Sequence, residues 1–157
     1  MKLSFRKYHS KDYKMLEEMI FALYREDPDG EIMDEEKIDK TIRELNRYPE
    51  KGTIYIFENE DGIIGYALVI FYWSNEFGGN LLNIDELYVY PTWRNKGIAT
   101  KFFEFLFDIY ERKVSGFCLE VTQSNRRALD YYKRIGFKEK DNINMIYQSV
   151  RDDLTNE

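Results

Sequence analysis

The stretch Arg94-Asn95-Lys96-Gly97-Ile98-Ala99 places two cations and a glycine between a strand-like apolar run and an amphipathic helix. Such a junction leaves the first backbone N–H groups of the helix without intrahelical acceptors, and the helix dipole adds positive potential there, which suits a pyrophosphate. Gly97 lets an anion approach closely, Arg94 and Lys96 add charge, and Thr100 adds a hydroxyl in the first turn. The same residues also make an ordinary strand-to-helix turn, and the loop alone does not separate the two uses. Downstream, Asn125, Ala128, Tyr132, Gly136 and Phe137 have the spacing N-x-x-A-x-x-x-Y-x-x-x-G-F. Ala128, Tyr132 and Gly136 are four apart and share a helix face, so the alanine leaves room beside a phenol. A core aromatic with its hydroxyl at the rim is the competing reading for Tyr132.

The elements that must hold these residues follow from hydrophobic periodicity. "LSFRKYH" reads as a first strand, and Ser10 as the N-cap of a helix over about 11–25, with Leu16, Met19, Ile20, Leu23 and Tyr24 at helical spacing. The acidic loop "REDPDGE" ends it. A second helix over about 34–47 carries Ile38, Ile42 and Leu45 on one stripe, with Asp34, Glu35 and Glu36 at its positive end. "TIYIFE" and "IIGYALVIFYW" form a hairpin around Asp61-Gly62, and "LLNIDELYVY" is the strand before the junction. The following helix, with Ala99, Phe102, Phe103, Leu106, Ile109 and Tyr110 at helical spacing, runs to about Lys113. Then come the strand "GFCLEV", a short helix capped by Gly136, and a last strand "NINMIYQSV". The order βααββ–βαβαβ predicts a mixed sheet with helices on its faces and a parallel part around the junction.

Bulk properties narrow the function classes. A chain of 157 residues, 43% hydrophobic and 17% aromatic, suffices for one domain with a real core, and no linker or repeat divides 1–157. The net charge of −6 repels phosphate backbones and favours cationic partners, so no nucleic-acid ligand is expected. Cys118 cannot form an internal disulfide and reads as a small buried hydrophobe. The N-terminus lacks a secretory h-region, and the longest apolar run, Ile63 to Trp73, falls short of the about 20 residues that span a bilayer. A cytoplasmic protein without a membrane partner is expected. The aromatic strands "VIFYW" and "MIYQSV" leave apolar surface that a homodimer would cover.

Taken together, "LNIDELYVYPTWRNKGIATKFFEFL" and "CLEVTQSNRRALDYYKRIGF" resemble the GNAT N-acetyltransferase superfamily. The first segment is similar to its acetyl-CoA loop, Q/R-x-x-G-x-G/A, and the second to its N-x-x-A-x-x-x-Y-x-x-x-G-F element. The resemblance covers roughly residues 3–150, with Ala99 standing where the strictest pattern has glycine. It implies an α+β fold: a mostly antiparallel sheet of six to seven strands with helices on both faces.

The resemblance also implies acetyl-CoA as cosubstrate, no metal, and direct acetyl transfer to an amine. The pantetheine arm would lie like an added strand against Leu87 and Val89, with the Leu87 N–H near the thioester carbonyl. The pyrophosphate would meet the loop from Arg94 and Asn95 through Lys96, Gly97, Ile98, Ala99 and Thr100. Asn125 would bond the cofactor arm, Arg126, Arg127 or Lys133 would reach its phosphates, and Tyr132 would protonate the departing thiolate. Asp85 and Glu86 are the candidate bases; strand alternation points them to opposite faces, Glu86 is preferred, and water remains open. The acidic loops favour a small cationic amine (polyamine, aminoglycoside-like compound or amino-acid derivative) as acceptor, with a protein N-terminus or lysine as the alternative. A non-catalytic acyl-CoA-binding module is the competing class.

Overall fold

The computed structural model describes residues 1–27 and 30–150, so Pro28 and Asp29 of the acidic loop lie outside the described residues. These form two compact units, Met1–Glu120 and the segment from Val121 onward. The first holds a five-stranded sheet in the order β1 (Ser4–Lys7), β2 (Gly52–Asn59), β3 (Gly62–Ser74), β4 (Gly79–Val89), β5 (Gly116–Leu119). All neighbours are antiparallel except β4 and β5, which run parallel, as a strand–helix–strand crossover requires.

Helices α1 (Tyr13–Glu26) and α2 (Glu35–Arg47) cover one face of the sheet, and α3 (Ile98–Tyr110) covers the other. On the first face Leu16, Met19, Ile20 and Ile38 pack onto Ile54, Ile56, Tyr66, Leu68 and Tyr88. The second face is an aromatic cluster: Phe102 stacks against Phe5, Tyr55, Phe57 and Phe105 with centroids 4.6–6.1 Å apart. Ile98, Phe102, Phe103 and Leu106 of α3 are all buried, each contributing about 2 kcal/mol of apolar burial.

Local chemistry sets the ends of these elements. Asp34 caps α2 by accepting the Lys37 N–H at 2.8 Å, and in the hairpin Asn59 Oδ1 accepts the Asp61 N–H at 2.8 Å while Gly62 takes φ 116°. Ser10 does not cap α1. It opens a 3₁₀ turn, Ser10–Asp12, whose cap is His9: its Nδ1 accepts from the Lys11 N–H (3.3 Å), and Asp12 accepts from the His9 N–H (2.9 Å). Arg6 fixes Asp12 in this role with two bonds of 2.7 and 2.9 Å, which hold its carboxyl below the usual range. Helix α3 stops at Tyr110, where the N–H groups of Lys113 and Val114 both turn back onto the Tyr110 carbonyl.

The strand count is lower than the six to seven expected. Residues 142–150, "NINMIYQSV", join no ladder, and Ile143, Met145, Ile146, Tyr147 and Val150 are 86–96% exposed. Ile143, Met145 and Tyr147 share one side of an extended chain, and Ile146 and Val150 fall on the other, so no register buries all of its apolar side chains on one face. The second unit keeps one helix, α4 (Arg126–Arg134), closed as expected by Gly136 at φ 111°. Among the described residues no helix is long and apolar enough to cross a membrane.

Candidate active site

A single extra residue decides where the acids of β4 point. Glu86 pairs with Leu68 and Ile84 with Val69, so Asp85 has no partner on β3 and forms a bulge. Leu82 and Ile84 share a face with Val69, toward α3. Unbroken alternation would place Glu86 there as well; the bulge inverts the parity and turns Glu86, with Tyr88, toward α1 and α2. Glu86 ends up 9% exposed, beside Leu16, Ile20, Ile38, Ile54 and Leu68.

The buried carboxylate is held by phenols. Tyr66 Oη donates to Glu86 Oε2 at 3.3 Å, and Tyr24 Oη to Oε1 at 3.5 Å. Among the described residues no cation pairs with it. Burial, then repulsion from Asp85, pushes the Glu86 carboxyl up to about 7, against the lowering effect of the two phenols. Burial and Glu86 in turn push Tyr24 up to about 12 and raise Tyr66, so both remain protonated donors near neutral pH. Asp85, the extra residue, is exposed; it follows Ile84 onto the side that Asn83 and Glu86 share, so the two acids do not diverge as strict alternation predicts. Partial desolvation and Glu120 raise its carboxyl, and the Asn83 amide approaches it at 3.5 Å.

Beyond Ile84 and Leu119 the β4–β5 ladder stops, so β4 from Asp85 to Val89 has no strand beside it on that edge among the described residues. Tyr90 N–H donates to Ile64 O (2.9 Å), which sets the phase of the ladder: even-numbered residues bond to β3, and Leu87 and Val89 aim their backbone groups at the open edge. The Val89 carbonyl already accepts from Arg94 Nε (2.8 Å), and Arg94 Nη2 is bridged to Glu26 at 2.7 Å with its guanidinium over Tyr88. Arg94 therefore points toward α1 and β4, away from the anion-binding use expected of it.

At the start of α3, Asn95 has φ 61° and Gly97, the N-cap, φ 75°, with no side-chain cap. The first intrahelical bond of this turn runs from Lys101 N–H to Gly97 O (3.1 Å), so the N–H groups of Ile98 and Ala99 have no acceptor in the helix. A side chain at position 97 would find open space, which fits a turn shaped for an outside group. Lys96 extends over the Trp93 ring at 5.8 Å.

The second unit holds the remaining expected residues. Asn125 is the N-cap of α4, its Oδ1 accepting the Ala128 N–H at 3.2 Å, so its carbonyl serves the helix. Lys133 is bridged to Glu139 at 3.0 Å, and Arg127 is exposed. Tyr132 is half-buried between Tyr131 and Phe137, and burial raises its phenol.

Tyr24 and Tyr66 were not singled out by the sequence as site residues. Tyr24 was visible only as one position of an amphipathic stripe and Tyr66 as one of a strand; the bulge that brings Glu86 to them leaves no local composition signal. Cys118, expected to be buried, is half-buried, with Tyr72 Oη at 3.5 Å.

Residues 17–137 match the sequence profile of the Acetyltransferase (GNAT) family. A pig (Sus scrofa) thialysine N-epsilon-acetyltransferase is 31% identical over 78 residues, 49% of this chain and 45% of the relative. The chain thus matches less than half the length of that relative. A possible acetyltransferase from Clostridium difficile 630 superposes with TM-score 0.81 at 22% identity, over 96% of this chain and 100% of the other. AAC(6')-Iy, solved with the bisubstrate analogue CoA-S-monomethyl-acetylneamine, superposes with TM-score 0.78 at 11% identity, over 96% and 100% of the two chains.

Proposed function

Because this chain belongs to the GNAT acetyltransferase family, we propose that it transfers an acetyl group directly from acetyl-CoA to the primary amine of a small cationic acceptor. The observation that carries this reading is Glu86: a buried carboxylate held by two phenols, with no cation among the described residues and a proton affinity near neutrality. A base works best when its pKa lies near the working pH, and a carboxylate lacking a counter-ion attracts an alkylammonium. The neighbouring Asp85 and the net charge of −6 add attraction for the same species. The names of similar proteins, thialysine N-epsilon-acetyltransferase and a complex with an acetylneamine analogue, agree with an amine of this kind.

In the proposed mechanism acetyl-CoA supplies the activated acetyl group as its thioester. Glu86 accepts a proton from the bound ammonium, and the free amine attacks the thioester carbonyl. The Leu87 N–H, aimed at the open edge of β4, steadies the developing oxyanion. As the C–S bond breaks, Tyr132 donates a proton to the leaving thiolate, and the proton shed by the new amide nitrogen restores the phenol; burial favours the protonated phenol before transfer. The turn from Asn95 to Thr100 holds the pyrophosphate through the α3 N-terminus, with Lys96 adding charge. Asn125, Arg127 and Lys133 are proposed to contact the cofactor, with Arg94 entering only if it leaves Glu26.

An amine panel read by thiol release, with acetyl-CoA binding followed by calorimetry, tests this function. Turnover is expected with polyamines, aminoglycosides or lysine-like amino acids, and Tyr132→Phe should lose most of it at near-normal acetyl-CoA affinity. Turnover on peptides alone would replace the acceptor class by a protein N-terminus or lysine. Binding without turnover on any amine would make the chain an acyl-CoA-binding module, and absence of binding would remove the function altogether.

A further inference from the structure

We propose that Tyr66 and Tyr24 are positioning residues, which fix the Glu86 carboxylate and set the pH at which it gives up its proton. The inference rests on the reading of Glu86 as the base, and its own evidence is geometric. The two phenols approach different oxygens of one carboxylate, Tyr66 at Oε2 and Tyr24 at Oε1, so together they fix both its position and its rotation. They come from two separate elements, β3 and α1.

Solvent has little room beside the carboxylate. The space beside the carboxylate is a cavity of about 20 Å³ with Leu16, Ile20, Ile38, Ile42 and Ile54 in its wall, room for a single water. Thr41, the polar residue that α2 contributes to that wall, donates its hydroxyl to Lys37 O at 3.0 Å. From β4 itself comes only Asp85, whose negative charge favours the protonated form of Glu86. Asp27, beyond the end of α1, acts on Tyr24 in the same sense. Among the described residues the charged group that acts on the carboxylate, Asp85, therefore pushes its proton on, and the two phenols are what stabilise the ionised base.

The sign of the effect follows. A hydroxyl that donates to a carboxylate favours ionisation, so removing it leaves the proton bound to higher pH. Tyrosine to phenylalanine keeps the ring that packs in the core and deletes only the donor.

The test is a carbon-13 NMR titration of the Glu86 side-chain carboxyl in the full chain, its resonance assigned by comparison with Glu86→Gln. Tyr66→Phe is expected to move the midpoint upward by about one pH unit, the equivalent of one hydrogen bond to a charged group, and Tyr24→Phe by less because its contact is longer. Tyr90→Phe, on the same face without a bond to Glu86, should leave the midpoint in place. Midpoints unchanged in both Tyr66→Phe and Tyr24→Phe, or moved equally by Tyr90→Phe, would overturn the proposal. Should Glu86 shift as expected while the acidic limb of turnover stays fixed, the positioning role stands and the reading of Glu86 as the base fails.

Discussion

Glu86 is costly to keep where it is. Its carboxyl is raised from 4.5 to about 7, so the folded state holds the proton more tightly than the unfolded chain does. Its contribution to stability is therefore complete below about 4.5 and is lost as pH rises toward about 7, where folding buries a charge. Over that interval the loss amounts to about 3 kcal/mol. Glu86→Gln, which cannot ionise, should be more stable than the wild type at pH 8 by up to that amount and nearly equal at pH 4.5, as read by urea unfolding at the two values. Equal stability at both would mean that Glu86 is not desolvated. At the same scale, the sequence showed that Asp85 and Glu86 stand on a strand beside the loop, and which of them is buried was open. Alternation predicts that the two point apart, but the bulge between them cancels one step of it and puts both on one side, and a bulge is an event between two strands that neither strand's sequence carries alone.

At the scale of elements, the junction at Gly97 depends on backbone conformation more than on side chains. Its φ of 75° lies in the left-handed region, and a Cβ there meets no atom within 4 Å, so Gly97→Ala tests conformation without a steric clash. The substitution should cost about 1 kcal/mol of stability by thermal melting and weaken acetyl-CoA by calorimetry, because a turn that relaxes to negative φ no longer presents the α3 N-terminus. Affinity equal to wild type would place the anion elsewhere. Elements of this kind were legible: the amphipathic stripes of α1, α2 and α3 and the Asp61-Gly62 hairpin all form, because their signals are local. Ser10 failed as a cap because a 3₁₀ turn capped by His9 precedes α1, with Asp12, held by Arg6 on another element, closing its capping box. "NINMIYQSV" joins no ladder although its composition and the alternation of Ile143, Met145 and Tyr147 suit a strand, since local pattern supplies β propensity but not a paired neighbour.

For the whole molecule, the family and the layered α+β arrangement could be read from two linked motifs and the order of the elements. The contacts that make the site specific could not. Tyr24 meets Glu86 across 62 residues of sequence, and Glu26 meets Arg94 across 68, so both depend on the completed fold. Of the chain's excess of acid, Glu86 and Asp85 are the two that β4 carries beside its open edge. The most direct measurement is the pH dependence of acetyl-CoA turnover with one cationic amine, for the wild type and Glu86→Gln side by side. The expected result is a wild-type rate that falls off on the acid side of about 7, and a Glu86→Gln rate lower by about 10²–10⁴ with that acid limb absent. Superimposable profiles for the two proteins would contradict the assignment of Glu86 as the base.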